Sequence, residues 1–327
     1  MSGTPAGLRL LADIGGTNAR LALQAGAGAP ITDERVLRCA DFDGVGPLLA
    51  HYLHERGAGR PVACAIGIAS PVSGDRVAMT NLPWRFSIAG LQAELGLQRL
   101  RVVNDFTALA LALPVLAADE LEAVGGGAPV EGAAWGLVGP GTGLGVGGLL
   151  PAPGGGWSPI AGEGGHVTLA GADDREDAVL RELRRAFGHA SAERALSGPG
   201  LANLHRASLR VDGLPGAEAD EAGDPAAVVA GAQAGDAACG RSVDLFLALL
   251  GSVAGNLALT LGAQRGVFIG GGIVPRLGDR IHRSAFRERF EAKGRYRGYL
   301  AAIPTWVIRS ASPPALRGAA QALELPG

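Results

Sequence analysis

Leu8-Arg9-Leu10-Leu11-Ala12-Asp13-Ile14-Gly15-Gly16-Thr17-Asn18-Ala19-Arg20-Leu21-Ala22-Leu23 is an apolar run, a glycine turn and a second apolar run. The spacing predicts a strand, a tight turn opened by an acid and closed by a hydroxyl, and a returning strand. Glycines at 15 and 16 let backbone N–H groups approach a ligand closely and tolerate φ > 0. Asp13 has the chemistry to hold a metal-bound water, and Thr17 to donate to a phosphate oxygen. The pattern therefore suits phosphate and magnesium on a hairpin rather than on a strand-to-helix turn. An ordinary hairpin that contains Gly-Gly-Thr is the plain alternative, and the stretch alone does not separate the two.

The chain around it has 327 residues, more than one typical core, which predicts two domains or two lobes. With 47% hydrophobic and 18% charged residues it has the composition of a soluble globular protein. A net charge of −2 argues against broad attraction to nucleic acid or to an anionic membrane. The 53 glycines cluster between apolar segments, as turn and ligand-loop glycines do. Cys39, Cys64 and Cys239 are isolated, so neither a disulfide framework nor a zinc site is suggested. No secretory signal is visible, and Ser242 to Leu261, the most apolar long stretch, carries Asp244 and Asn256. That stretch fits a bundle-core helix better than a membrane span, and the expected location is cytoplasmic.

Working outward, helices are predicted over 47–56 and 87–95, and buried strands over 62–69 and 100–103. The second strand ends at Asn104-Asp105, and a helix runs from Phe106 toward Pro114. Strands alternating with helices imply an α/β sheet with crossovers. A second strand–glycine–strand unit spans 134–150, turning at Gly139-Pro140-Gly141-Thr142-Gly143-Leu144-Gly145, and the two units read as one structural idea used twice. Helices are then expected over 175–187, 191–196, 199–208 and 236–261, with a loop over 209–225. A strand at 267–269 runs into Gly270-Gly271-Gly272, a late strand covers 303–308, and Pro313-Pro314 opens a terminal helix.

The chain has a single lysine, Lys293, and no GxxxxGK[ST], which excludes a P-loop NTPase. Gly143, Gly145 and Gly148 match GxGxxG, but Leu149-Leu150-Pro151 follows where a dinucleotide fold needs a helix. Asp105 stands at the end of a predicted buried strand, where α/β folds place ligands, and a carboxylate there can accept a hydroxyl proton. A helix N-cap is the competing role for Asn104-Asp105. Glu163 and His166, set among glycines in Gly162-Glu163-Gly164-Gly165-His166, suit a polyhydroxyl ligand, whereas no further ligands complete a metal site. Glu193 sits early in a predicted helix, where a carboxylate is favourable in any case. Gly270 to Gly272 permits close approach of a flat ring, although a tight turn explains it equally.

Taken together, the segments resemble the bacterial glucokinase family, a hexokinase-like group of the actin/sugar-kinase/Hsp70 superfamily. The carriers are ADIGGTNARLAL, ASPVSGDRVAMTNLPWRFSI, VVNDFTALALALP, GPGTGLGVGGLL, PIAGEGGHVTLA, HASAERALSGPGLANL, LGSVAGNLALTLGAQRGVFIGGGIVPRL and FEAKGRYRGYLAAIP, in the family's order. The related repressor/kinase group has a cysteine-rich zinc motif after its glycine-histidine segment, but here Val167-Thr168-Leu169 follows His166.

The resemblance implies a two-lobed α/β actin-like ATPase (ribonuclease H-like) fold with an active-site cleft between lobes. Residues 1–114 would form a small lobe, with a C-terminal helix in 309–327 packing back on it, and 115–308 a large lobe. It implies ATP-dependent phosphorylation of the glucose 6-hydroxyl, with Mg2+ as cofactor, in a cytoplasmic homodimer without nucleic acid or membrane partners. Asp105 falls on the catalytic base, and Asn104, Glu163, His166 and Glu193 on sugar-hydroxyl ligands. Ala12, Asp13, Ile14, Gly15, Gly16 and Thr17 look like the first phosphate loop, and Gly141 and Thr142 like part of the second. Gly271 matches the adenosine-side turn of the family, and Asp13 would reach the metal through water. A kinase of another hexose, a non-catalytic sugar sensor on the same fold and a nicotinamide enzyme using Gly143–Gly148 are the alternatives left at this point.

Overall fold

Strands β1 (Arg9–Ile14) and β2 (Asn18–Gln24) form the hairpin expected of the opening stretch, with Asp13 opposite Arg20 and Ile14 opposite Ala19. The structure, a computed structural model, describes residues 7–153, 155–216, 223–310 and 312–325. Strand β3 (Ile31–Arg38) extends the sheet antiparallel to β2. The alternation of apolar residues does not reveal this strand, since Asp33-Glu34-Arg35 interrupts it. An edge strand exposed along most of its length needs no such alternation, and charge discourages unwanted pairing.

Helix α1 (Val45–Glu55) leads to β4 (Ala63–Ile68), a fully buried strand parallel to β1. Two short strands, β5 (Arg76–Ala78) and β6 (Arg85–Ser87), pair as a separate ribbon that sequence patterning did not resolve. Ser87 caps α2 (Ile88–Glu94) by accepting from the Gly90 N–H. Strand β7 (Arg99–Asn104), parallel to β4, runs directly into α3 (Asp105–Ala112), and the sheet order is β3-β2-β1-β4-β7.

The period-2 alternation of β1 sends Leu10, Ala12 and Ile14 into one core and Leu11 into another. The second core is lined by Ala22, Ala63 and Ala65, small side chains that leave room for helices to lie close.

The chain continues through β8 (Leu121–Ala123), β9 (Trp135–Pro140), β10 (Leu144–Pro151) and β11 (Trp157–Gly162). Helices α4 (Asp174–Phe187), α5 (Ala192–Ala195) and α6 (Gly198–Val211) follow, each opened by a capping side chain: Asp173, Ser191 and Ser197. The expected loop over 209–225 is shorter than predicted among the described residues, since α6 reaches Val211 and α7 (Pro225–Gln233) begins on its final proline. Residues 217–222 of that stretch lie outside the described residues.

Helix α8 (Ala237–Leu261) is one continuous helix capped by Asp236. It is the one described helix long and apolar enough to cross a membrane, yet 72% of its most apolar window is buried within the protein. Strand β12 (Gly266–Ile269) follows, then short helices α9 (Ile273–Arg276), α10 (Arg280–Arg283), α11 (Phe286–Glu291) and α12 (Arg297–Ala301). Gly251 and Gly255 let α8 meet α11 backbone to backbone, because a Cβ at either would overlap the Phe286 or Phe290 carbonyl. Strand β13 (Thr305–Ile308) and helix α13 (Ala315–Ala322) complete the chain.

These elements form two units: the described residues of 1–117, 152–161 and 310–327, and those of 118–151 and 162–309. In the first, α13 packs on α3 so closely that a Cβ at Gly318 would overlap the Ala108 carbonyl oxygen. Arg9, buried at 2% exposure, donates to Glu324 at 2.6 Å and fixes the chain just beyond α13. In the second unit the strands run β10-β9-β12-β13-β8. Strand β9 is antiparallel to β10 and parallel to β12, as β1 is antiparallel to β2 and parallel to β4. The two glycine hairpins thus occupy equivalent places in two sheets of similar plan.

Candidate active site

Strand register brings the first set of candidate residues together. Asp13 is aligned with Gly67 of β4, and Gly67 with Val103 of β7; one step on, Ile14, Ile68 and Asn104 are aligned. Three parallel strands therefore end side by side, and α3 starts at Asp105 immediately beyond. Gly67, between the two acids, has no side chain; a Cβ there would lie 3.2 Å from the Ala108 Cβ and 3.7 Å from the Asp105 Cα. That glycine lets the first turn of α3 settle onto the sheet.

Asn104 is the N-cap of α3, its Oδ1 accepting from the N–H groups of Phe106 at 2.9 Å and Thr107 at 3.3 Å. Its Nδ2 donates to the Ser70 carbonyl at 3.4 Å. Asp105 Oδ1 accepts from Phe106 N at 2.8 Å. The N-cap reading and the site reading of Asn104-Asp105 are thus compatible, with Asn104 serving the cap and Asp105 standing in the first turn.

The acids feel each other. Burial, then the negative charge of Asp105, push Asp13 up to about 6, while Arg20 opposes the shift. The Arg20 guanidinium is 3.7 Å from Asp13 and itself 40% exposed, so it offsets the repulsion only in part.

The turn between β1 and β2 is tight for a steric rather than a conformational reason. Neither Gly15 nor Gly16 has a positive φ. Gly15 N donates to Asn18 O at 2.9 Å, so that N–H closes the turn. A Cβ on Gly16 would sit 2.8 Å from the Asn81 Cβ, which lies over the turn. Thr17 is exposed, and its carbonyl accepts from Cys39 N at 2.9 Å. Ser70 and Asn81 were not singled out from sequence; they lie in ASPVSGDRVAMTNLPWRFSI, whose polar residues carry no periodicity that points inward.

The second unit gathers the remaining candidates. Glu163 and Val146 form a backbone bridge, and a Cβ on Gly165 would overlap the Leu144 carbonyl oxygen. Glu163 and His166 lie on the same short turn, with His166 N donating to Glu163 O at 3.0 Å, and both are exposed. Thr168 bridges Ser191, and Ala192 N donates to Val167 O at 2.9 Å, which brings in α5 and Glu193.

Glu193 Oε2 accepts from Leu144 N at 2.9 Å, and Gly198 N donates to Gly141 O at 2.8 Å. Glu163, His166, Glu193, Gly141 and Thr142 therefore stand on three segments held together backbone to backbone. Gly271, with φ of +77°, lies against the same hairpin; a Cβ there would overlap the Pro140 carbonyl oxygen.

A glucokinase from an Antarctic psychrotroph, known from its crystal structure, superposes with a TM-score of 0.88 at 35% identity, over 97% of this chain and 98% of the other. The protein accordingly has the actin-like ATPase fold in the form used by sugar kinases. A model of the glucokinase family matches residues 10–325. The glucokinase of Aromatoleum aromaticum is 53% identical over 97% of this chain and 94% of that one. That of Paramagnetospirillum magneticum is 49% identical over 93% and 94%. The chain belongs to the glucokinase family and is an enzyme.

Proposed function

We propose that the enzyme transfers the γ-phosphoryl group of ATP to the 6-hydroxyl of glucose, with Asp105 as the base. The reaction follows from family membership; the assignment to residues is carried by the register that ends β1, β4 and β7 together and opens α3 on Asp105. As the sugar oxygen bonds to phosphorus and the bond to the ADP oxygen breaks, the hydroxyl proton passes to the Asp105 carboxylate. The transition state of such a transfer is loose, so positioning matters more than a strong base. Asn104 caps α3 and so fixes where Asp105 stands.

Glu163, His166 and Glu193, carried on linked segments, supply acceptors and donors for the remaining sugar hydroxyls, and those residue types suit a polyhydroxyl ligand. In the two hairpins, Ala12 to Thr17 and Gly141 with Thr142, the Gly15 and Gly141 N–H groups close their own turns, which leaves the Gly16 and Thr17 N–H groups and the Thr17 and Thr142 hydroxyls as the donors to phosphate. Gly271 lets the turn on the adenosine side pack directly against the second hairpin. Cytoplasmic location and a homodimeric state belong to the same reading and rest on the resemblance.

Mg2+ fits the donor set at Asp13. Asp13 would hold it through water, and a single carboxylate of this kind suits Mg2+, which dehydrates reluctantly. Asp13, raised to about 6 by burial and by Asp105, is a carboxylate whose charge calls for a compensating cation. When bound, Mg2+ supplies neutralisation of phosphate charge.

The test is Asp105→Asn. It keeps an oxygen for the Phe106 N–H and leaves the Asn104 cap intact. We expect kcat to fall by about 10²–10⁴ with the glucose dissociation constant little changed, by coupled assay and calorimetry. Near-normal turnover would overturn the assignment.

A further inference from the structure

We propose that Glu193 is a positioning residue that links the sugar side of the site to the second glycine hairpin, so that each ligand is felt by the loop that holds the other. The proposal rests on the sugar-kinase reading above and deepens it. A sugar-hydroxyl role for Glu193 uses its carboxylate in one direction only. Here Oε2 accepts from the N–H of Leu144, the residue where the hairpin turn re-enters β10, at 2.9 Å. A Cβ on Gly143 would lie 2.5 Å from that same oxygen, so the carboxylate lies directly against the glycine turn.

The backbone around Glu193 is fixed. Ser197 Oγ donates to Glu193 O at 2.8 Å, and a Cβ on Gly200 would lie 2.8 Å from that oxygen. Gly198 N donates to Gly141 O at 2.8 Å, which ties the following turn to the entry of the hairpin as Glu193 ties α5 to its exit. The hairpin between Gly141 and Leu144 is thus held at both ends by one short stretch, 193–198. A carboxylate oxygen has lone pairs for two donors, and Oε1 takes no part in the Leu144 bond. A sugar hydroxyl that donates to Glu193 would set the direction of the carboxylate and hence of the turn; phosphate on the turn would set the carboxylate for sugar. The coupling must be reciprocal.

The two ends can be perturbed separately. Glu193→Ala removes the acceptor for Leu144 N, whereas Glu193→Gln keeps an oxygen there. Gly143→Ala adds a methyl that displaces the carboxylate; Gly143 has no positive φ, so its backbone accepts alanine. With the non-hydrolysable analogue AMPPNP as probe and no sugar present, Glu193→Ala should weaken binding about three- to tenfold, less than the full value of a hydrogen bond to a charged group because the nucleotide feels its loss only through the turn, and Glu193→Gln should restore most of it. With glucose as probe and no nucleotide present, Gly143→Ala should weaken binding by a similar factor, and the loss should vanish in a Glu193→Ala background.

Equal AMPPNP affinity in wild type and Glu193→Ala overturns the proposal, as does a folded Glu193→Gln variant that binds AMPPNP no better than the alanine variant. Wild type that binds AMPPNP but neither binds nor phosphorylates glucose would end the sugar reading instead, and the nucleotide comparison would still decide the role of Glu193.

Discussion

Asp13 shows most clearly how a residue's surroundings bias it. An acid in a hairpin next to glycines is legible in the sequence, but the charge facing it is not, because Asp105 arrives from a strand and helix far along the chain. Burial and Asp105 raise Asp13 from 3.8 to about 6. In the unfolded chain it titrates near its ordinary value, so the folded protein binds the extra proton between about pH 4 and pH 6. The stability associated with the protonated form is complete below about pH 4 and lost as pH rises through about 6. Above that, the folded state carries the cost of a buried, repelled carboxylate. Asp13→Asn should therefore raise the melting temperature at pH 8 in the absence of Mg2+ and nucleotide, and the gain should shrink as pH falls below 6. Thermal melts at several pH values would show it; a pH-independent difference would contradict the account.

At the level of elements, what could be read from sequence was whatever one element carries in itself. Strand β4, the caps of α2 and α4 and the hairpin β1–β2 announce themselves through apolar runs, capping residues and glycine turns. Strand β3 and the ribbon β5–β6 do not, because exposed or very short strands leave no period to detect. Packing between elements is equally hidden. Gly318 lies inside α13, where alanine would ordinarily favour the helix by about 0.5–1 kcal/mol. The structure reverses that expectation, since a Cβ would overlap the Ala108 carbonyl of α3. Gly318→Ala should destabilise the protein by about 1–3 kcal/mol in urea unfolding. A more stable variant would mean that α13 and α3 are not in glycine contact.

For the molecule as a whole, the repeated plan is the main lesson. Sequence shows two glycine hairpins with little identity between them. The structure shows why they correspond: each pairs antiparallel with its own return strand and parallel with the strand on its other side. The candidate residues then divide by unit. Asp13, Asn104 and Asp105 stand at strand ends in the first, and Glu163, His166, Glu193 and the second hairpin are knitted together in the second. The residue types and their order were legible because each has a distinct chemistry in a glycine-rich setting. The Leu144–Glu193 hydrogen bond and the closeness of Asp13 to Asp105 were not, because both depend on register between distant segments.

On the proposed function, the enzyme moves a phosphoryl group from ATP to glucose and not to water. Phosphorus NMR of the wild-type enzyme with Mg2+, ATP and glucose tests it most directly. ADP and glucose 6-phosphate should appear in equal amounts. ADP accompanied by inorganic phosphate, or glucose bound with no ATP consumed, would contradict it.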